Sequence, residues 1–172
     1  GTFTAPYLIY RAALAKLASR PSRPLAQRAR LRAEVTRLLG KIERFSESSP
    51  ANHKHHALLI RAELERVSGR HSQAMSYYEG AITAVESSQF IIDRAICHEL
   101  TGRFYAGWGK RRLALASLQQ AWSVYRNWGA IAKCDQMSRA YNHDFSARLP
   151  IGLQPSATTS RGARASSNHN RD

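Results

Sequence analysis

Acidic side chains are scarce in this chain: 12 Asp and Glu stand against 26 Lys and Arg, a formal net charge of +14 over 172 residues. Cysteine is scarcer still. Cys97 and Cys134 are too few for a disulfide framework or a zinc quartet, which points to a reducing, cytoplasmic setting. Long apolar runs are missing, so no segment reaches the length that crosses a bilayer, and no signal-peptide pattern leads the chain. A leading methionine is also missing; the chain opens on Gly1-Thr2, and a piece of a longer polypeptide is expected. The signatures of nucleotide chemistry fail as well. A P-loop closes on Gly-Lys-Ser/Thr, whereas the two Gly-Lys pairs here run Gly40-Lys41-Ile42 and Gly109-Lys110-Arg111. No kinase catalytic loop, phosphoacceptor-histidine box or Gly-rich ATP lid is found. The expected sets of catalytic and cofactor-binding residues are therefore empty, and the chain by itself is not expected to be an enzyme.

What remains is an ordinary globular composition, 43% hydrophobic and 22% charged, at a length that can bury a core. The positive charge is unevenly spread. Residues 11–44 hold ten Lys/Arg against Glu34 and Glu43, and the stretch beyond Phe145 adds four arginines against Asp172. The body between them is close to balanced.

Tryptophan occurs three times, and two of the three stand before glycine, at Trp108-Gly109 and Trp128-Gly129. Between them Ala114, Leu118, Ala121, Trp122, Tyr125 and Trp128 recur at steps of three and four, the stripe of an amphipathic helix. Ahead of the first pair, Ile92, Ile96, Leu100 and Phe104 step by four. Glycine reaches the left-handed conformation that closes a helix C-terminus, so both Trp-Gly pairs are predicted helix stops.

Shifting the sequence by 40 residues brings the pattern back. Gly69 falls on Gly109. Ala74, Tyr78, Ala81, Ile82 and Val85 fall on Ala114, Leu118, Ala121, Trp122 and Tyr125. Ala57, Ile60 and Leu64 fall on Cys97, Leu100 and Phe104. Each unit reads as helix, glycine turn, helix, with Gly69, Gly109 and Gly129 as the turn glycines. A single helix pair cannot cover its own apolar face, so neighbouring pairs must stack. The predicted fold is all-α, a tetratricopeptide-like solenoid of antiparallel helix pairs over residues 1–145. The Ser/Ala/Arg-rich segment 146–172 lacks periodicity and is expected to be a flexible tail or linker. Further helices are predicted over Pro6–Ala18 (Leu8, Ala12, Leu14 and Leu17 inward), from Pro24 to Phe45 (Leu31, Val35, Leu38, Ile42 and Phe45 inward), and from Ala130 to Tyr141 (Ile131, Cys134, Met137 and Tyr141 inward). Ser49-Pro50 reads as an N-cap followed by proline at the first helical position.

An ordered series of residues carries a resemblance. Pro50, Asn52, His55, Ala62-Glu63, Gly69, Tyr78-Glu79, Ala81-Ile82, Phe90, Glu99-Leu100, Phe104, Gly109 and the Tyr125-x-x-Trp128-Gly129-Ala130-x-Ala132-Lys133 segment resemble a helical region of very large signalling proteins. In that family the region follows an AAA/STAND-type ATPase domain, often with a serine/threonine kinase-like domain ahead of it, and precedes a GAF domain and a two-component sensor histidine kinase. The likeness covers roughly residues 3–141 and departs at the last helix, which here reads "CDQMSRAYNHDF". The resemblance implies a regulatory connector in signal transduction. Its expected partners are proteins, either adjacent domains of the parent chain or a peptide or protein ligand.

Two constellations compete with that reading. His53, His55 and His56 cluster at a predicted helix start, and His53 and His56 share a face that could hold a metal. With no carboxylate or cysteine near them in sequence, a polar, solvated first turn is the preferred reading and no metal is expected. His98, beside Cys97 on a core-facing helix, is expected to be packed. The second constellation is basic. Arg30, Arg37, Lys41 and Arg44 share a face opposite the apolar stripe of the long helix and could meet phosphate oxygens. Aromatics interleaved with these arginines, as a single-strand platform requires, are absent. A solvated or protein-docking face is preferred, with a stand-alone nucleic-acid-binding scaffold as the rival class. Tyr77, off the apolar stripe, is expected to face a groove, so the candidate interaction surface comprises Arg30, Arg37, Lys41, Arg44 and Tyr77.

Overall fold

A computed structural model of the chain describes residues 4–19, 24–86 and 88–141. Seven helices and no strand occur among the described residues: α1 (Thr4–Ala18), α2 (Leu25–Ser48), α3 (Pro50–Val67), α4 (His71–Glu86), α5 (Ile91–Gly107), α6 (Arg111–Asn127) and α7 (Ile131–Ala140). The fold is all-helical. The predicted tail, 146–172, lies outside the described residues.

The three glycine turns hold the structure's three positive-φ residues among those described: Gly69 and Gly109 at +76°, Gly129 at +87°. At each, the amide of the residue after glycine reaches back across the last helical turn. Arg70 N donates to Glu65 O at 3.0 Å, Lys110 N to Tyr105 O at 2.8 Å and Ala130 N to Tyr125 O at 2.9 Å. The glycine amides bond Arg66 O, Ala106 O and Arg126 O in the same order. This paired pattern satisfies helix carbonyls that would otherwise lack partners, and it needs a left-handed residue at its corner. At the α2–α3 junction Ser49 is the N-cap and Pro50 opens α3, as predicted. The Ser49 hydroxyl does not cap the helix; Asn52 Nδ2 donates to it at 2.9 Å.

α3 packs against α4 and α5 against α6, the two predicted pairs, while α4 touches α5, α1 touches both α2 and α3, and α7 closes on α6. The 40-residue correspondence extends to burial. Ala74, Tyr78, Ala81 and Val85 are buried on α4, and so are Ala114, Leu118, Ala121 and Tyr125 on α6. Gly102 sits where α5 crosses α6, and a Cβ there would lie 2.6 Å from Leu118 Cγ. One apolar cluster joins α1 to α5; a second centres on Trp122, Tyr125, Cys134 and Met137.

Three registers differ from expectation. On α1 the inward residues are Tyr10, Ala13 and Leu17, whereas Leu8 is 60% exposed and Ala12 is exposed. On α2, Leu39 is buried, Leu38 is partly buried and Phe45 is exposed, and the helix runs three residues further, to Ser48. On α7, Ile131 is 55% exposed while Cys134 and Met137 are covered. On α1 the cause is local: the helix offers apolar residues around most of its circumference, so its pattern does not choose a face.

Candidate functional site

The histidine cluster is not solvated. His55 and His56 lie in the second turn of α3, and both are buried; His55 has no exposed surface. What buries them comes from other helices. Tyr10 of α1 stacks on His56 with ring centroids 4.1 Å apart, and Phe90, just before α5, stands 5.9 Å from His55. Asp93, in the first turn of α5, reaches both imidazoles: His55 Nε2 is 3.2 Å and His56 Nε2 3.0 Å from its Oδ2. With the proton on Nε2, each ring donates to that one oxygen. Asp93 is itself buried.

The electrostatics follow from this convergence. Burial opposes the charged form of Asp93, but the hydrogen bonds from His55 and His56 outweigh it and hold the carboxyl well below the usual carboxylate range. Its place in the first turn of α5 also favours a negative charge. Burial pushes His56 down, with the Asp93 hydrogen bond opposing in part. Burial also lowers His53, with a contribution from His55. The two directions agree at neutral pH, with an ionised Asp93 carboxylate facing a His56 imidazole that favours neutrality. Polar atoms are left over in the same place. Asp93 Oδ1, Nδ1 of His53, His55 and His56, and the Tyr10 hydroxyl have no hydrogen-bond partner among the described residues. Buried polar atoms without partners are uncommon in folded proteins.

A cavity of about 440 Å³ opens beside this cluster. Its polar wall is Asn52, His53, His56, Gln89 and Asp93, and its apolar wall is Tyr7, Phe90, Ile91, Ile92 and Trp128. Tyr7, Phe90, Ile91 and Trp128 are among the exposed large apolar side chains, with Trp128 58% exposed. The two Trp-Gly pairs therefore differ in use. Trp108 stacks on His71 at 5.2 Å and packs on Phe104 at 5.5 Å, while Trp128 stands at the cavity.

Arg30, Arg37, Lys41 and Arg44 share one exposed face of α2, whereas Arg28 and Arg32 lie on another side of the helix. Arg30 is 3.4 Å from Glu34, which Lys16 of α1 also contacts at 2.8 Å. Tyr77 is half-buried on α4 beneath the Arg61 guanidinium, 5.7 Å from its ring centre. Arg61 in turn donates to Glu43 of α2 at 2.8 Å. Arg61 of α3 thus links Tyr77 of α4 to Glu43 of α2. None of these five residues lines the 440 Å³ cavity.

His98 is partly buried, as expected of a packed residue. Residues that carried the resemblance form a further junction. Tyr125 donates to Glu99 Oε2 at 2.9 Å, Lys133 to Glu99 Oε1 at 2.8 Å, and the Lys133 ammonium lies 5.7 Å above the Tyr125 ring. A similar tie recurs one helix earlier, where the Tyr105 hydroxyl donates to Glu79 at 3.2 Å. Burial, then Glu79, pushes Tyr105 up to about 12, so it stays a donor at neutral pH.

Sequence reasoning missed Asp93. Nothing within its own helix marks it, because its partners stand 37 and 38 residues away. The available signal was the pair of adjacent histidines, two imidazoles for which the reading had no acid.

No protein-family model, curated protein or solved structure matches this chain.

Proposed function

We propose that the chain is a non-catalytic, tetratricopeptide-like interaction module of a multidomain signalling protein, one that couples a nucleotide-binding ATPase domain to an output histidine kinase. The observation that carries this reading is the repeated helix–turn–helix unit. α3–α4 and α5–α6 share their glycine corners and their buried positions at a 40-residue interval. Units of this kind present broad, continuous surfaces built from successive pairs, and such surfaces suit docking rather than chemistry. Two exposed surfaces serve as contact areas: the apolar wall around Trp128, and the basic face of α2.

The test has two parts. Extending the reading frame beyond both ends should reveal an ATPase domain upstream and a GAF–histidine kinase unit downstream; other flanking sequences would overturn the assignment to that architecture. Within the longer protein, Arg37→Glu with Lys41→Glu should leave helix content by circular dichroism unchanged while weakening the response of kinase activity to ATP. Loss of helix would show that the α2 face is internal. Polynucleotide binding by the 172-residue chain that weakens steeply with salt, and is lost in the same double variant, would instead establish the nucleic-acid class.

A further inference from the structure

We propose that His55, His56 and Asp93 form a binding site for a divalent first-row transition-metal ion of the Zn²⁺ or Fe²⁺ class, with its remaining coordination positions on the side of the 440 Å³ cavity. One ligand atom from each of the three residues lies within 4.8 Å of the others, and all three residues are buried. The spacing suits an ion. With bonds of about 2.1 Å, ligand atoms 3.0 and 3.2 Å apart subtend about 90–100° at a shared metal, between octahedral and tetrahedral geometry. Two imidazoles and one carboxylate are a borderline donor set that suits Zn²⁺, Fe²⁺ or Co²⁺, whereas Mg²⁺ and Ca²⁺ call for oxygen ligands.

Charge and saturation point the same way. Both imidazoles converge on Oδ2, leaving Oδ1 unpartnered and buried. Among the described residues the groups hydrogen-bonded to Asp93 are the two imidazoles, and no Lys or Arg side chain there donates to it. A divalent ion would supply a positive charge, and Oδ1 would become available to it or to a metal-bound water. His56 and Asp93 line the cavity, which gives the ion a route in. Because the ligands come from α3 and α5, occupancy would tie one helix pair to the next.

The experiment uses the 172-residue chain stripped with a chelator and titrated by calorimetry with Zn²⁺, in parallel with Mg²⁺. One equivalent of Zn²⁺ should bind and raise the melting temperature, and Mg²⁺ should do neither. Asp93→Asn and His56→Gln should each weaken Zn²⁺ binding by at least about tenfold and abolish the thermal shift. Wild-type X-ray absorption at the zinc edge needs no variant and should show two bound imidazoles with oxygen donors. Absence of stoichiometric binding, a sulfur-rich coordination sphere, or binding that survives both substitutions and disappears in His143→Gln/His169→Gln, which removes the two histidines of the C-terminal stretch outside the described residues, would each overturn the assignment.

Discussion

Glycines in similar helical settings carry opposite predictions, because what a methyl group would meet differs. At Gly102 an added Cβ would lie 2.6 and 2.9 Å from Leu118 Cγ and Cδ2 and 3.1 Å from the Leu118 amide nitrogen. Overpacking costs about 1–3 kcal/mol, which exceeds the roughly 1 kcal/mol that alanine gains over glycine within a helix. Gly102→Ala should therefore lower the urea midpoint. At Gly80 the nearest atom is Leu58 Cδ1 at 3.6 Å, an ordinary contact. Gly80→Ala should raise stability by up to about 1 kcal/mol in the same assay. His98 gives a pH prediction at this scale. Burial lowers it below 6.5, with Glu86 opposing and Arg94 assisting. A histidine so depressed contributes stability above its unfolded pKa, and that contribution is lost as pH falls below it. His98→Gln should accordingly flatten the fall of melting temperature below pH 6.5 relative to the parent chain; an identical slope would show that His98 titrates alike in both states.

At the scale of the element, the glycine corners test whether the two helix pairs are equivalent. Gly69 and Gly109 share φ of +76° with open space where a Cβ would go, so only backbone strain opposes alanine. Each substitution should cost about 1 kcal/mol, and the two losses should agree within error in denaturant melts. A neutral result at both would mean the corners relax into another turn. These corners were legible in the sequence because everything that makes them is local: a glycine, and carbonyls within five residues. Helix existence was legible for the same reason, and so were the stripes of α4 and α6, except that Trp128, expected on the α6 stripe, is the exposed residue that follows the helix. The inward face of α1 was not, because Tyr7, Leu8, Ile9 and Tyr10 are apolar in succession and only the approach of α3 selects Tyr10. The histidines were legible as a cluster but not as buried groups. Their acid arrives only when α5 is laid beside α3, and no periodicity within either helix encodes that meeting.

For the molecule as a whole, the positive charge lies chiefly outside the packed pairs. Residues 11–44 carry ten cations against two acids, and α2 turns Arg30, Arg37, Lys41 and Arg44 outward, so the excess sits where solvent and counterions can offset it. The interior instead uses charge sparingly, in ties such as Tyr125–Glu99–Lys133 and Arg66 Nη2 to Glu63 at 2.7 Å. Trp128 has a consequence of a different kind. Of the three indoles, Trp122 is buried with the Arg126 guanidinium 5.1 Å from its ring centre, and Trp108 is partly covered by its His71 stack, leaving Trp128 as the exposed chromophore. The chain therefore carries a built-in optical gauge at the mouth of its cavity. Acrylamide should quench a red-shifted portion of the emission that vanishes in Trp128→Phe, and a partner that docks over the opening should shield that portion and leave the remaining fluorescence unchanged.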